Sequence, residues 1–306
     1  RIIYIYIYIM NIVTLCSIFK NESAIMTEWL THYYNNGICD FLLCDDNSTD
    51  NSIEKINNFK KTNSKVKIDF IDISYNDKNK PAQRRFLDKL AQRCIAKEIN
   101  TEWIIVIDLD EIVYNREGKT ITNILKDAVD YNVILMPWLM YGPNGYINQP
   151  ESVIKSFTKR IDYSIKGSGR IFARDNYNMF NICKKYAIRT KLVKELEIHN
   201  PKFINIFNIH KNPTKSEYLK FDVNMNGVFP YEIPNEITEY DISSNKYLLV
   251  INHYPYQSKD FWQTVKIARG KGATGHRQRT QPEWDEAEKK ANRKLDTCLC
   301  DIKYTT

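Results

Sequence analysis

The chain has few features of zinc-binding, secreted or membrane-spanning proteins. Its seven cysteines include no Cys-x-x-Cys pair and no Cys/His spacing typical of a zinc site. An odd number of cysteines without such spacing predicts free thiols in a reducing compartment. The apolar residues 1–10 are much shorter than the ~20 residues that span a bilayer, and they contain no small-residue cleavage site. We therefore expect a cytoplasmic protein without an integral membrane segment.

The first ten residues are an Ile-Tyr repeat rather than a recognisable targeting segment. An AT dinucleotide repeat would encode this pattern, and Asn, Ile and Lys are abundant throughout. We expect residues 1–10 to be a non-native or upstream-translated leader, with the true start at Met10 and an AT-rich genome as the source. If that source is a virus, the compartment would be a host cytoplasm or a virion.

The sequence also contains no concentrated run of basic residues. The formal net charge is +7, but the lysines and arginines are spread along the chain, with a mild concentration at residues 266–279. A nucleic-acid-binding stripe is therefore not expected, whereas a phosphate-bearing small molecule would account for the same charge. Hydrophobic content of 43% and charged content of 26% are typical of a globular chain with a large core.

Apolar strands and amphipathic helices alternate along the first half of the chain. The predicted strands are residues 12–19, 41–44, 66–71, 103–107 and 133–136. The predicted helices are residues 24–35, ended by Gly37, residues 50–59 and 120–129, and one that begins at Pro81. This order predicts parallel βαβ units, and hence an α/β fold with a doubly wound, mostly parallel sheet. Later strands are expected at 194–199 and 247–252, with helices from Ser258 and over 281–296.

Three carboxylates, Asp108, Asp110 and Glu111, follow the buried strand 103–107. Ligands of open α/β sheets bind outside the carboxyl ends of the strands, and Asp-x-Asp there can hold a hard divalent cation on substrate phosphates. A solvated turn would have the same sequence. The loops at 20–22 and 45–50 follow two other strands and place further polar groups at the same edge, which favours a ligand site.

Two compatible roles are expected for the residues of the second loop, 45–50. Ser48 or Thr49 is expected to cap the following helix. Asp45 or Asp46 can in addition accept hydrogen bonds from a base or a ribose.

Two groups of short segments occur in a characteristic order along the chain. The early segments are Cys16–Glu22, Glu28-Trp29-Leu30, the 45–50 loop and Asp108–Glu111. The later segments are Trp138 with Gly142 and Gly145, Ile198–Pro201, and Asn252–Tyr254 followed by Ser258, Phe261, Lys266, Arg269 and Gly270. In order and spacing these segments resemble the GT-A glycosyltransferases of the family-2 type, in particular the branch related to family 92. The resemblance spans residues 12 to about 272.

The resemblance implies a GT-A domain over residues 11–272, followed by a C-terminal helical extension over 273–306. Residues 11–138 would form the half that binds the nucleotide sugar, and residues 139–272 the acceptor half. The implied reaction transfers a sugar from a nucleotide-diphosphate donor, with a UDP-sugar favoured, to a hydroxyl of a glycan or another acceptor, with inversion at the anomeric carbon.

The resemblance also assigns residues to the donor and to a metal ion. Asp108 and Asp110 would hold Mn²⁺ or Mg²⁺ on the diphosphate, and His199 or His253 would be a further metal ligand. The residues expected to contact the donor are Asn21, Glu22, Asp45, Asp46, Arg84, Asp108, Lys266 and Arg269. The basic residues near 266–271 could close over the diphosphate, or could only stabilise a helix C-terminus.

The general base and the acceptor contacts are left as alternatives. Glu195, Glu197 and His199 alternate along an apparent strand, so all three would project from one face, although a solvated face has the same pattern. Glu195, Glu197 and Asp162 are the base candidates, with Asp175 a further possibility. Trp138 and Tyr141 are candidates for an aromatic face toward the acceptor sugar, or for core residues.

Two other functions fit parts of the pattern. A nucleotidyltransferase acting on a sugar phosphate would have a similar fold, but usually a glycine-rich loop with a Lys or Arg after the first strand. This chain has Lys20-Asn21-Glu22 there, without glycine. A catalytically inactive carbohydrate-binding protein is the remaining alternative.

Overall fold

A computed structural model describes residues 11–74, 79–165, 184–197, 202–203, 237–269 and 278–304. The expected leader and the candidates His199, Asp175, Gly270 and Lys271 lie outside these residues.

The sequence forms twelve strands and nine helices over the described ranges. The strands are β1 Val13–Phe19, β2 Asp40–Asp45, β3 Lys67–Phe70, β4 Trp103–Val106, β5 Glu111–Tyr114, β6 Val133–Met140, β7 Lys159–Arg160, β8 Lys184–Arg189, β9 Val193–Glu195, β10 Lys202–Phe203, β11 Val250–His253 and β12 Lys294–Leu295. The helices are α1 Ser23–Asn35, α2 Ser52–Thr62, α3 Ala82–Ile95, α4 Ile121–Asp127, α5 Val153–Ser156, α6 Glu239–Ser243, α7 Lys259–Phe261, α8 Gln281–Lys290 and α9 Cys298–Asp301. A 3₁₀ turn covers Thr190–Leu192, and a π-helical segment, Trp262–Ile267, continues α7.

Eight of these strands form one sheet in the order β3-β2-β1-β4-β8-β6-β11-β5. The first four are parallel, as is the pair β6 and β11. The predicted α/β fold with a mostly parallel sheet is confirmed. Strand β8, which was not predicted, lies antiparallel between β4 and β6. Its pairing partners are distant in sequence, so no local periodicity signals its place.

Helices cover both faces of the sheet, and β1 shows how the sequence specifies this. All seven of its residues are buried. Val13, Leu15 and Phe19 join the core cluster that includes residues of α1 and α4, while Cys16 and Ile18 join the cluster on α3. Successive strand residues point to opposite faces, so a strand covered on both sides has a continuous apolar run.

The C-terminal residues are part of the main body of the fold rather than an appended helix. Helix α8 ends at Lys290, not at 296 as predicted, because Lys294 and Leu295 form β12 and pair with β7. Leu299 of α9 is buried in the main core cluster. Deleting the segment 273–306 would therefore expose core surface.

Two further expectations concern cysteines and membrane insertion. The six cysteines in the described ranges are all free thiols. None of the described helices combines the length and the apolar character needed to cross a membrane.

Candidate active site

The loops after β1 and β2 are joined to each other by side-chain hydrogen bonds. The Asn21 N–H donates to Ser48 Oγ at 2.9 Å, and the Thr49 N–H donates to Asn21 Oδ1 at 2.7 Å. Asn21 has a φ of 54°, a left-handed conformation that asparagine tolerates better than most residues. The Asn21 side chain, expected to contact the donor, is therefore used to hold the two loops together.

The acids of the second loop differ in how they are used. Asp50 accepts from the backbone N–H of Ser23 at 2.9 Å and of Ser52 at 3.0 Å, the first residues of α1 and α2. The N-cap of α2 is Asn51, so neither Ser48 nor Thr49 caps this helix as predicted. Asp45 accepts from the Ser48 N–H at 3.0 Å. Both carboxylates stabilise the loop.

Asp46 is the acid of this loop that remains suited to a ligand. Its side chain makes no hydrogen bond within the described residues, and Lys20, Arg85 and Arg269 are the cations that act on it. Burial raises the pKa of its carboxyl, and these cations only partly oppose that effect. The structure thus separates Asp46 from Asp45, which the sequence left as alternatives.

An acid cluster, consisting of Glu22, Asp108, Asp110 and Glu111, lies at the ends of β1 and β4. Glu22, Asp110 and Glu111 are buried, whereas the Asp108 side chain is 35% exposed. The Asp108 N–H donates to Glu111 Oε2 at 3.1 Å, and the Glu111 N–H donates to the Asp108 carbonyl at 3.2 Å, which closes the turn between β4 and β5. Glu111 is fully buried and begins β5. It therefore belongs to the sheet and not to a solvated turn.

Lys185 of β8 is a member of this site that the sequence did not reveal. Its Nζ lies 2.8 Å from Asp108 Oδ2 and 3.6 Å from Glu111 Oε2, and its side chain is 1% exposed. The antiparallel insertion of β8 beside β4 brings it there. The only local signal is that Lys185 directly precedes a short apolar run, 186–188, and a lysine in such a place is more often a surface residue.

Two cations from the C-terminal half pair with the other acids. Lys266, in the π-helical segment, places its Nζ 2.9 Å from Asp110 Oδ2 and 3.1 Å from Glu22 Oε1. Arg269 Nη2 lies 2.7 Å from Glu22 Oε1 and also donates to the Lys20 carbonyl. Lys266 and Arg269 of the predicted basic stretch are thus inside the site, in contact with the residues that follow β1.

His253 completes the site from β11. Its Nε2 lies 3.7 Å from Asp110 Oδ1, and its ring centroid is 4.3 Å from that of Trp138. Burial lowers the pKa of His253 to about 4 despite the nearby Asp110, so the imidazole is neutral at pH 7. Trp138 is half-buried beside it, which places the predicted acceptor residue next to a candidate metal ligand.

The buried charged groups shift one another's pKa values in opposite directions. Burial alone would raise the pKa of Asp110, but Lys266 and His253 hold it below its usual range. Burial raises the pKa of Glu111 well above its usual range, and Lys185 opposes this only in part. Burial would lower the pKa of Lys185, yet Asp108 and Glu111 raise it above normal. Perturbed groups of this kind, gathered at one sheet edge, favour a functional site.

Some predicted site residues are engaged elsewhere. Arg84 pairs with Glu195 at 2.7 Å and with Asp88 at 2.9 Å, so its guanidinium serves the packing of α3 against β9. Tyr141 is 1% exposed, and its hydroxyl donates to the Asp296 carbonyl, which makes it a core residue without a face for a sugar.

The base candidates do not share the strand face that alternation suggested. Strand β9 ends at Glu195, so Glu197 lies beyond it, where its carbonyl accepts from the Tyr186 hydroxyl. Asp162 is half-buried, and its carboxylate accepts from the N–H and the hydroxyl of Ser164 at 2.9 and 2.6 Å.

Asp110 and His253 form the pair best suited to a divalent cation. Two ligands that are each ~2.1 Å from one ion lie up to about 4 Å apart, and the observed separation is 3.7 Å. Asp108 is a further oxygen donor, although one of its oxygens is held by Lys185. Over the described ranges no group of three or more acidic, histidine or cysteine side chains is arranged to hold an ion. The fit therefore rests on this pair with Asp108 beside it.

Several buried polar atoms of the site have no hydrogen-bond partner among the described residues. They are Glu22 Oε2, Glu111 Oε1, His253 Nδ1 and Arg269 Nε. Buried polar atoms are nearly always paired in folded proteins, so four in one site favour a place for a ligand or an ion.

Comparison with known proteins gives one strong match. The sequence profile of glycosyltransferase family 92 matches residues 10–294. Among curated proteins none matches this chain.

Solved structures match over part of their length. One is a mannosyltransferase from Pyrobaculum calidifontis in complex with GDP-Man and Mn²⁺, at 17% identity and a TM-score of 0.32, covering 42% of this chain and 35% of that one. Another is glucosyl-3-phosphoglycerate synthase from Mycobacterium tuberculosis in complex with Mn²⁺, UDP and glucosyl-3-phosphoglycerate, at 9% identity and a TM-score of 0.31, covering 60% and 58%. The match thus spans about a third to three fifths of those chains.

Proposed function

Because this chain belongs to glycosyltransferase family 92, we propose that it transfers a sugar from a nucleotide-diphosphate donor to an acceptor hydroxyl with the help of a divalent cation. Family membership confirms the predicted resemblance and makes the protein a glycosyltransferase. The proposal adds the donor class, the cation, an inverting course and a preference for a UDP-sugar, with a glycan or another hydroxyl compound as acceptor.

The observation that carries this proposal is the composition of the buried site. The four carboxylates of the acid cluster and three cations, Lys185, Lys266 and Arg269, meet where β1 and β4 end. Carboxylates suit Mn²⁺ or Mg²⁺, and lysine and arginine suit phosphate oxygens. A diphosphate bound through a cation needs both kinds of side chain in one place.

The proposed metal ligands are Asp108, Asp110 and His253, with His199 as the other candidate. When bound, the cation would offset the negative charge that develops on the departing diphosphate. Fixed charges aimed at such developing charge usually contribute more to catalysis than proton transfer does.

The remaining donor contacts follow from the positions of the side chains. Lys266 and Arg269 would bind phosphate oxygens, since both are already within the site. Asp46 would accept hydrogen bonds from the nucleoside. Trp138 would offer its ring to a sugar, because it lies against His253.

The general base is the least defined part of the proposal. Glu195 is paired with Arg84, which leaves Asp162 and Glu197 as the described candidates. Asp162 is next to Tyr163, which is bonded to β6 near Trp138. The Tyr163 hydroxyl donates to the Trp138 carbonyl at 3.2 Å and accepts from the Met140 N–H at 3.0 Å. Removal of a general base costs about 10²–10⁴ in rate. Asp162→Asn and Glu197→Gln, measured separately, distinguish the two.

The proposal is tested by turnover of nucleotide sugars with and without a cation. A thermal-shift screen of UDP- and GDP-sugars with Mn²⁺ identifies the donor, since a ligand at 100 times its Kd stabilises by about 2.7 kcal/mol. Transfer or hydrolysis of that donor should require Mn²⁺ or Mg²⁺ and should disappear in Asp110→Ala. The matched control is Asp69→Asn, which removes an exposed carboxylate paired with Lys67 on β3.

Full activity of Asp110→Ala in excess chelator would refute the proposal. Stabilisation by a nucleotide sugar without turnover in any acceptor screen would instead favour the inactive carbohydrate binder. Release of pyrophosphate from a nucleoside triphosphate and a sugar phosphate would identify a nucleotidyltransferase.

A further inference from the structure

Lys266 occupies a place that a divalent cation would also favour. Its side chain is 2% exposed, and its Nζ contacts Asp110 and Glu22, which are themselves buried. Asp110 directs Oδ2 to Lys266 and Oδ1 toward His253. A cation held by Asp110 and His253 would therefore lie close to the ammonium group and would be repelled by it.

The charge of the site makes this repulsion consequential. Over the described residues, the three cations Lys185, Lys266 and Arg269 pair with the four carboxylates of the acid cluster, and Arg279 adds a positive charge that acts on Asp110. A divalent cation arriving alone gains little from a cluster that is already nearly neutral. Exclusion of water makes each unbalanced charge more costly than it is at a surface.

Lys185 and Lys266 are not equally able to leave the acid cluster. Lys185 belongs to β8 in the middle of the sheet, and its neighbours on both sides are paired strands. Lys266 belongs to the π-helical segment, an irregular form that occurs in short pieces and often at functional sites. Displacement of Lys266 therefore disturbs one short segment, whereas displacement of Lys185 would disturb the sheet.

From these contacts we propose that Lys266 is the resident counter-ion of Asp110, which a divalent cation displaces only when a nucleoside diphosphate is there to accept Lys266. The cation and the diphosphate then bind cooperatively, and the cation alone binds weakly. The inference rests on the proposed function, because it takes the diphosphate of the donor as the group that receives Lys266.

The first test measures Mn²⁺ binding to the wild-type protein by electron paramagnetic resonance, with and without UDP, corrected for Mn²⁺ bound to UDP in solution. UDP should strengthen Mn²⁺ binding at least tenfold, and by linkage Mn²⁺ should strengthen UDP binding by the same factor. Equal Mn²⁺ affinity with and without UDP would overturn the inference.

The second test removes the competing ammonium group. Lys266→Met should bind Mn²⁺ alone at least fivefold more tightly than the wild type and should show weaker coupling to UDP. Lys266→Arg keeps the charge and should behave like the wild type, and Lys67→Met removes an exposed lysine of β3 as the control. Mn²⁺ binding to Lys266→Met that is no tighter than in the wild type contradicts the proposal.

The outcome separates this inference from the proposed function. If Lys266→Met does not fold, as judged by circular dichroism, the wild-type titration and Lys266→Arg decide. Turnover of a nucleotide sugar without coupled binding would reject the inference alone. Coupled binding of Mn²⁺ and UDP without turnover would reject the proposed transfer and retain the inference.

Discussion

Two clusters of ion pairs in this protein are built from the same kinds of side chain but have different roles. The acid cluster with its three cations lies at the ends of β1 and β4. A second cluster, the C-terminal ion network, consists of Arg116, Arg160, Glu239 and Asp296. In the network, Arg160 binds Glu239 through two hydrogen bonds of 2.6 and 3.0 Å, and its Nε lies 2.8 Å from Asp296.

The clusters differ in whether their polar atoms are satisfied. Among the described residues, every buried side-chain oxygen and nitrogen of the C-terminal ion network has a partner, whereas Glu22, Glu111, His253 and Arg269 each have one without. Charges are balanced in the network, with two arginines and two carboxylates. A saturated cluster serves the fold, while unsatisfied atoms at a sheet edge favour ligand binding.

The largest effect should be on activity, and it should separate the two clusters. Asp110→Asn is expected to lower the rate of glycosyl transfer by about 10²-fold or more, because it removes a charge aimed at the developing leaving group. Asp296→Asn should change the rate per folded molecule by less than about tenfold, since Asp296 contacts no member of the acid cluster in the described structure. Initial rates normalised to folded protein check this. Similar losses in both variants would contradict the division.

The loss of stability should have the reverse order, with the larger effect in the C-terminal ion network. Breaking a buried ion pair by removing one partner costs about 3–5 kcal/mol, so Arg160→Met should lower the free energy of unfolding by that amount. Arg160 is 2% exposed and joins β7 to both α6 and the chain before α9. Asp110→Asn should cost less, because Lys266 keeps its contact with Glu22, and urea unfolding gives the comparison. A larger loss in Asp110→Asn than in Arg160→Met would show that the acid cluster also holds the fold together.

The C-terminal ion network should also give a pH dependence of smaller size. Burial alone would raise the pKa of Asp296, but Arg116 and Arg160 hold it below the usual value. A carboxyl with a lowered folded pKa contributes stability above its unfolded pKa of ~3.9, and loses it as pH falls through the folded pKa. The difference in unfolding free energy between wild type and Asp296→Asn should therefore be largest near pH 7 and shrink below about pH 4. A difference independent of pH would mean that Asp296 acts through packing.

The same comparison shows what the sequence could reveal. Strands β1, β2 and β4 were predicted to within two residues at either end, because their apolar runs and flanking polar loops are local signals. The order of these strands was enough to place Asp108, Asp110, Asp46 and Glu22 at one edge. Lys185 could not be found in this way, because its position depends on β8 pairing with strands about 50 and 80 residues earlier.

Local patterns also failed where a long-range contact decides the role of a side chain. Tyr141 follows β6 and is an aromatic residue of the kind that binds sugars. In the structure the C-terminal segment covers its side chain, and its hydroxyl donates to the Asp296 carbonyl. Strand β9 ends at Glu195, so among the described residues Glu197 lies outside the strand on which the predicted common face depended. For Tyr141 the deciding partner, Asp296, is distant in sequence, and periodicity carries no information about it.

The smallest expected effect concerns Arg84, the predicted donor contact that the structure places in an ion pair with Glu195. The Arg84 and Glu195 side chains are 35% and 36% exposed, and pairs at such positions contribute about 0–1 kcal/mol. Arg84→Met and Glu195→Gln should each change the free energy of unfolding by less than about 1 kcal/mol. Neither variant should change the KM for the donor more than about twofold. That change corresponds to roughly 0.4 kcal/mol of binding free energy, since RT is about 0.59 kcal/mol. A tenfold rise of that KM in Arg84→Met but not in Glu195→Gln would mean that Arg84 leaves its ion pair to bind the donor, and would extend the site to α3.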